Sequence, residues 1–276
     1  MPRPAGGAGP RAGLTRACFS TPPRKDVYTV IYATGDTHGC FQRFSTRNFP
    51  EQRSMSRTDY VLVLGDFGGL WDNSPESRHW LDWLEKKPFT LLFVCGNHEN
   101  YDLLYALPTE EWHGGLVRRV RENVLHLARG QVFSIEGHTF FTMGGARSHD
   151  IKDGVLFPDR PDFRREKRRL DRLRAEYRVE HQSWWKEEMP SPAEYDAARK
   201  ALEARDWSVD YILTHCAPTS VAKAICPDYE ADELTGFLEE VRGRARFRYW
   251  LFGHYHDNRS LDGKYILLWE QIVRVL

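Results

Sequence analysis

Five short runs of β-branched and aromatic residues recur along the chain from Asp26 onwards, and each ends in a Gly or Thr followed by residues that can bind a metal. The runs are VYTVIYATGDTH, YVLVLGD, FTLLFVCGNHE, VDYILTHC and RYWLFGHYH. Nearly continuous apolar strands are typical of a sheet that is covered on both faces. Functional groups in such folds gather at the carboxyl ends of the strands. The pattern therefore predicts one site built from several strand ends.

Helix signals lie between these runs and predict an alternating α/β layout. Ser74, Pro75 and Glu76 provide an N-cap, a proline at the first helical position and an early acid for the segment SRHWLDWLEKK. Ser191 and Glu194 predict a capping box for the segment AEYDAARKALEA.

Three further segments complete the predicted elements. ADELTGFLEEVRG predicts a helix that ends at Gly243. QVFSIEGHTFFTMGG predicts a hairpin that turns at Glu136 and Gly137, and GKYILLWEQIVRVL predicts one or two final strands.

Composition adds a few limits on domain number, partners and location to these predictions. The 276 residues favour one large domain with an insertion, and 39 basic residues balance 39 acidic ones, so net charge favours neither a general nucleic-acid binder nor a binder of anionic membranes. Five cysteines without a C-x-x-C pair predict reduced thiols and a cytoplasmic location. No apolar run is long enough for a bilayer. Residues 1–25 predict a disordered extension, with an organelle transit peptide as the alternative.

The residues at the predicted strand ends are all possible metal ligands or proton donors. Carboxylate, amide oxygen and neutral imidazole together suit Mn(II), Fe or Zn better than Ca or a thiolate site. One carboxylate shared by two cations would allow them to lie about 3.5 to 4 Å apart, as phosphoryl transfer requires. In chain order these residues are Asp36, His38, Asp66, Asn97, His98, His215, His254 and His256.

The ordered series GDTHG, GDFGG, GNHE, THCAP and GHYH resembles the calcineurin-like metallophosphoesterase superfamily from Asp26 to the C-terminus. The motifs GDFGGLWD, EEWHGG, GGARSHD and FGHYHD resemble those of a bacterial branch of this superfamily. The resemblance implies an α/β fold, a four-layer α/β/β/α sandwich with two mixed β-sheets. It also implies metal-dependent hydrolysis of a phosphate ester by a dinuclear centre with a bridging hydroxide nucleophile.

The resemblance further implies a ligand set for two divalent cations, with Mn favoured and Fe or Zn as alternatives. His98 matches the histidine that is not a ligand and lies near the leaving oxygen. One cation is implied at Asp36, His38, Asp66 and His256, and the other at Asp66, Asn97, His215 and His254.

One departure weakens the match to the protein serine/threonine phosphatases of this superfamily. Their second motif continues as GDxxDRG, whereas the positions of its later Asp and Arg are occupied here by Gly69 and Leu70. Losing both groups removes two charge-assisted interactions. Asp72 and Arg147 are candidate replacements. The glycine-rich segment GGARSHDIKDG predicts a substrate loop with Arg147 and His149, and a solvated turn is the alternative.

A helical insertion is expected between about residues 157 and 207. Its segment DFRREKRRLDRLRAEYR, residues 162–178, could follow a nucleic-acid backbone. However, Phe163, Leu170, Leu173 and Tyr177 recur at helical spacing and favour an amphipathic helix with a solvated basic face. The adjacent Trp184 and Trp185 are expected to dock the insertion.

Three classes of function remain open at this point. The first is a phosphomonoesterase or phosphodiesterase acting on a phosphate-ester substrate, and the second is a nuclease acting on nucleic-acid phosphodiesters. The third is a non-catalytic binding scaffold. Nucleic acid is a possible partner that is not favoured, no membrane partner is expected, and the oligomeric state is left open.

Overall fold

The apolar runs form the centres of two mixed β-sheets in the computed structural model, which describes residues 29–276. The extension expected at residues 1–25 lies outside the described residues. The strands are β1 (Ile31–Thr34), β2 (Tyr60–Leu64), β3 (Thr90–Val94), β4 (Thr109–Trp112), β5 (Gly115–Arg121), β6 (Val124–Leu127), β7 (Gln131–Ile135), β8 (His138–Met143), β9 (Val155–Leu156), β10 (Arg178–Val179), β11 (Tyr211–Thr214), β12 (Tyr249–Phe252), β13 (Arg259–Leu261), β14 (Tyr265–Leu267) and β15 (Val273–Arg274).

The first sheet has the strand order β15-β1-β2-β3-β6-β5-β4, and the second has the order β13-β14-β12-β11-β8-β7. In the first sheet β1, β2, β3 and β6 are parallel, and three antiparallel pairs extend it, β15 with β1, β5 with β6 and β4 with β5. In the second sheet β8, β11, β12 and β14 are parallel. A short two-stranded sheet pairs β9 with β10.

Successive side chains of the central strands point to opposite faces and enter different cores, as the period of two requires. In β2, Leu62 and Leu64 pack in the core between the two sheets, whereas Val61 and Val63 pack on the outer face beneath a helix. The second sheet has a corresponding outer core beneath three helices. These layers confirm the predicted four-layer α/β/β/α sandwich. The helices are α1 (Pro75–Glu85), α2 (Tyr101–Tyr105), α3 (Phe163–Leu173), α4 (Pro192–Glu203), α5 (Thr219–Ile225) and α6 (Glu233–Arg244).

The predicted caps of α1 and α4 are confirmed. Ser74 accepts a hydrogen bond from the peptide N–H of Ser77, and Ser191 with Glu194 forms a capping box. The hairpin between β7 and β8 turns at Glu136 and Gly137, both with positive φ. The predicted end of α6 at Gly243 was wrong, because the helix continues through Arg244.

The basic segment forms a shorter helix than its spacing predicted. Arg174 adopts a left-handed conformation with φ 52° and ends α3, so Tyr177 lies beyond the helix. Leu173 is 63 % exposed and does not contribute to the apolar face. Within the part of the chain that the structure describes, the helices are too short or too polar to cross a bilayer.

Trp185 docks the segment between α3 and α4 onto the first half of the molecule. Its side chain is fully buried in the outer core of the first sheet, where it contacts Trp71 edge to face. Its indole N–H donates to Asp102 Oδ2 at 2.7 Å. The neighbouring Trp184 is only partly buried. The expected docking role therefore belongs to Trp185.

We predict that Trp185→Ala lowers the free energy of unfolding by about 3 to 5 kcal/mol, because a large buried ring is replaced by a cavity. Trp184→Ala is the matched control and should cost clearly less. Urea denaturation followed by circular dichroism measures both losses. Equal losses in the two variants would contradict the docking role of Trp185.

Candidate metal centre

Polar residues that directly follow five parallel strands converge where the carboxyl ends of both sheets meet. Each lies within four residues of the end of its strand, so the strands fix its position. These residues are Asp36 and His38 after β1, Asp66 after β2, Asn97 and His98 after β3, His215 after β11, and His254 and His256 after β12.

Four of these residues adopt a left-handed backbone conformation that residues with a Cβ rarely occupy. The φ angles of His38, Asp66, His254 and His256 are 45°, 46°, 70° and 47°. Each such residue costs about 1 to 3 kcal/mol and persists only when the surrounding structure enforces it. The peptide N–H of His38 donates to the carbonyl of Asp66 at 2.7 Å and holds two of these turns together. Strain concentrated at one place is typical of functional sites.

Glycines next to the strand ends make room for carboxylates from neighbouring strands. A Cβ on Gly96 would lie 2.1 Å from Asp66 Oδ1, and a Cβ on Gly253 would lie 2.2 Å from Asp36 Oδ1. Real Cβ atoms do not approach other atoms so closely. The glycines that precede Asn97 and His254 in the sequence therefore allow the two carboxylates to enter the site.

Asp36, His38 and His256 form the first group of potential ligand atoms. His256 Nε2 lies 3.2 Å from Asp36 Oδ2 and 3.1 Å from His38 Nε2. Asp36 Oδ2 is buried, yet it accepts no properly directed hydrogen bond from the described residues. A buried carboxylate oxygen without a donor, beside two imidazole nitrogens that face each other, fits a divalent cation.

The second group of potential ligand atoms is formed by Asp66, Asn97 and His215. His215 Nε2 lies 3.1 Å from Asn97 Oδ1 and 3.4 Å from Asp66 Oδ1. His215 Nδ1 donates to the carbonyl of Leu64 at 2.7 Å, which directs Nε2 toward the site. The ring of His254 lies beside this group, with its centroid 5.0 Å from that of His215.

The Asp66 carboxylate faces both groups with different oxygens. Oδ1 lies 3.4 Å from His215 Nε2, and Oδ2 lies 3.7 Å from His38 Nε2. The peptide N–H of His98 donates to Oδ1 at 2.7 Å and fixes the carboxylate. Asp66 is therefore placed to be shared between two cations.

The carboxylates beside His215 oppose the effect of burial on the pKa of its imidazole. Burial alone would lower the pKa of His215, but the charges of Asp66 and Asp36 raise it to about 9. Burial would raise the pKa of Asp66, but the charge and hydrogen bond of His215, together with the charges of His98 and His38, keep that pKa below its usual value. Burial lowers the pKa of His254 to about 3 and keeps its imidazole neutral. Cation binding would replace the His215 proton with a larger positive charge.

Arg43 and Glu99 hold the loops that carry the ligands. The Arg43 guanidinium donates to the carbonyls of Asp36 at 2.7 Å and Trp269 at 2.6 Å. Glu99 accepts from the peptide N–H of Phe67 at 2.8 Å, one residue after Asp66. Glu99 therefore holds the loop that carries Asp66. No sequence motif pointed to Arg43.

A buried pair formed by Ser148 and Glu188 supports the Asn97 side chain. Glu188 accepts from the peptide N–H of Ser148 at 2.9 Å and from its hydroxyl at 2.6 Å. Asn97 Nδ2 donates to Ser148 Oγ at 3.4 Å, so its oxygen faces His215. Burial raises the pKa of Glu188 to about 7, although the Ser148 bonds oppose the rise. Glu188 lies 91 positions after Asn97 and acts on it only through Ser148. The sequence carried no signal for this arrangement.

A cleft of about 540 Å³ opens beside the ligands. His38, His98 and Arg178 line it. The His98 ring is partly buried, and its centroid lies 5.5 Å from that of His38. Arg178 forms an ion pair with Asp150. Asp150 lies in the predicted substrate loop GGARSHDIKDG, whereas sequence reasoning did not select Arg178 for the site. The cleft gives a substrate access to the ligand groups.

The predicted substrate residues lie at different distances from this centre. The exposed His149 ring lies 5.6 Å from the His254 ring, centroid to centroid. Arg147 is exposed and is absent from the described residues that line the cleft. Asp72 accepts hydrogen bonds from Ser74 and Ser77 at the start of α1 and acts there as a capping residue. The structure thus brings His149 near the ligands but does not bring Arg147 into the cleft.

The family model described as calcineurin-like phosphoesterase matches residues 29–258, which includes every strand end described above. No curated protein matches the chain.

We predict that Gly96→Ala weakens Mn²⁺ binding at least tenfold, because the new Cβ would displace the Asp66 carboxylate. Gly236→Ala is the matched control, since a Cβ there meets no atom within 4 Å and alanine favours the helix. Isothermal titration calorimetry measures the affinities, and circular dichroism verifies folding. Wild-type affinity in folded Gly96→Ala would contradict the close approach.

Proposed function

The chain belongs to the calcineurin-like phosphoesterase family, and from this membership we propose that it hydrolyses a phosphate ester at a centre of two divalent cations. Metal-dependent hydrolysis of phosphate esters is the activity of the family in general. Two cations, and manganese as the metal, are the specific parts of the proposal. The mixture of carboxylate, amide and imidazole ligands supports manganese, with iron or zinc as alternatives.

The position of the Asp66 carboxylate carries the proposal. Its two oxygens face His215 on one side and His38 on the other, as a carboxylate shared between two cations requires. Asp36 adds a second buried carboxylate, whose Oδ2 lies 3.2 Å from His256 Nε2 and accepts no well-directed hydrogen bond from the described residues. Two buried carboxylates with one protonated imidazole between them gain from added positive charge.

The ligand atoms divide into two sets that share Asp66. When bound, the cations would lower the pKa of water, so that hydroxide is available at neutral pH, and would neutralise charge on the phosphoryl oxygens. One cation would be held by Asp36, His38, Asp66 and His256, and the other by Asp66, Asn97, His215 and His254.

His98 is placed to act on the leaving group. In hydrolysis an oxygen atom from water bonds to phosphorus, the ester P–O bond breaks, and the leaving oxygen takes a proton. The His98 ring lines the cleft, and its peptide N–H is anchored on Asp66 Oδ1. We assign to its ring N–H the donation of a hydrogen bond or proton to the leaving oxygen.

The described contacts of the basic helix α3 do not favour the nuclease alternative. Arg165, Lys167 and Arg169 form ion pairs with acidic residues of the same segment, which reduces the charge available for phosphates. No residue of α3 is among the described residues that line the cleft. We therefore propose a phosphomonoesterase or phosphodiesterase of small substrates. A cytoplasmic location is also proposed, supported by the free thiols of Cys95 and Cys216.

The test measures initial rates on phenyl phosphate and diphenyl phosphate, using protein stripped of metal and reloaded with Mn²⁺. We predict a Mn²⁺-dependent rate on at least one ester. Asp66→Asn should lose both the rate and most Mn²⁺ binding, because it weakens both ligand sets. His98→Ala should keep Mn²⁺ but lose about 10² to 10⁴ in rate, and less on an ester whose leaving group needs no proton.

The two esters distinguish the remaining alternatives. Preference for the monoester would identify a phosphatase, and preference for the diester a phosphodiesterase. A folded wild-type protein that binds Mn²⁺ without hydrolysing either ester would contradict the proposal and favour the scaffold. Full activity of His98→Ala on phenyl phosphate would contradict the role of His98 alone.

A further inference from the structure

The cleft that begins at His98 combines one arginine with a wall of aromatic rings. We call this the aromatic wall, formed by Phe41, Trp71 and Trp80, and Arg178 lines the same cleft. The volume of about 540 Å³ lies within the range of pockets that enclose small organic ligands. The residues that line the cleft therefore indicate which alcohol part of a phosphate ester it can bind.

Arg178 supplies the positive charge that the second motif lacks at Leu70. The strand β10 holds its backbone, with the Arg178 peptide N–H donating to the carbonyl of Gly154 at 3.3 Å. Asp150 forms an ion pair with its guanidinium and restricts the side chain. A guanidinium has five N–H donors, so one carboxylate partner leaves donors for a phosphate. Arg178 thus provides a fixed anion-binding group beside His98.

The rings of the aromatic wall pack against other aromatic side chains and are partly open to the cleft. Trp71 packs edge to face against the buried Trp185, with ring centroids 5.6 Å apart. Trp80 packs against Phe41 with centroids 6.1 Å apart. Phe41 is fully buried, whereas Trp71 and Trp80 are partly exposed and offer ring surface to a ligand. Flat aromatic ligands stack on such side chains at little entropic cost.

Glu76 limits the negative charge that a ligand in the cleft can carry. It is the one acidic residue among the described residues that line the cleft. A carboxylate there repels a second phosphate but accepts hydrogen bonds from hydroxyl or amino groups. The cleft therefore favours an uncharged leaving group over a polyphosphate or a polynucleotide.

Resting on the proposed function, we propose that the cleft binds phosphate esters whose alcohol part carries a flat aromatic ring, nucleotides with a single phosphate being the fitting class. Arg178 binds the non-bridging phosphate oxygens, and Trp71 and Trp80 contact the ring. Glu76 accepts hydrogen bonds from the uncharged polar groups of the same ligand.

The first test compares kcat/KM for benzyl phosphate and cyclohexylmethyl phosphate in the Mn²⁺-loaded enzyme. Both esters have alkyl leaving oxygens and the same carbon count, and only one ring is flat and aromatic. We expect benzyl phosphate to be preferred at least tenfold, Trp80→Ala to reduce the preference below threefold, and Trp80→Phe to restore it. Equal kcat/KM values in the wild type would overturn the aromatic preference.

The second test measures binding without turnover. Adenosine should quench tryptophan emission of the Mn²⁺-loaded protein at concentrations at least tenfold below those needed for ribose. Inorganic phosphate should inhibit Arg178→Ala at least tenfold more weakly than the wild type, with a smaller loss in Arg178→Lys. Arg172→Ala, on the exposed face of α3, is the control and should leave inhibition unchanged. Unaltered phosphate inhibition in folded Arg178→Ala would overturn the role of Arg178.

These outcomes separate the inference from the proposed function. Metal-dependent hydrolysis of benzyl and cyclohexylmethyl phosphate at equal efficiency would support the phosphoesterase function but contradict the proposed preference for aromatic substrates. Absence of metal-dependent hydrolysis of any ester would overturn the proposed function and the inference together.

Discussion

Two buried carboxylates, Asp36 and Asp66, are the constraint on which the rest of this structure depends. Both are almost inaccessible to water, and like charges that close together are costly unless positive charge is added. In the metal-free protein a raised pKa of His215 keeps one compensating proton between them. Two cations would compensate the pair more completely, and this demand explains why five parallel strands from two sheets end at one place.

The backbone around the two carboxylates is strained where the strand ends converge. Left-handed turns at Asp66 and His254 bring polar side chains inward directly after apolar strands. Such turns are unfavourable locally and persist because the two sheets and the core between them hold the strand ends. Contacts from distant segments complete the support. Arg43 donates to the carbonyls of Asp36 and Trp269, and Glu188 holds Ser148, which in turn contacts Asn97. Stability of the fold and geometry of the site are therefore linked.

Local patterns in the sequence were sufficient for the five strands that lead to the site, the hairpin at Glu136 and the caps at Ser74 and Ser191, because each depends on neighbours within a few residues. The end of α3 was missed because the left-handed residue Arg174 leaves Leu173 in solvent, and helical spacing does not record that turn. Arg178 was missed for a different reason. Its importance comes from a contact with Asp150, 28 positions away, and from a wall that only the folded chain forms. Side-chain pairs separated by long stretches of chain have no local signature.

The most direct test of the account is the anomalous scattering of manganese in crystals of the Mn²⁺-loaded protein. The account predicts two manganese peaks on opposite sides of the Asp66 carboxylate, one beside His38 and His256 and the other beside Asn97 and His215. A single peak, or peaks that do not share Asp66, would contradict the dinuclear centre.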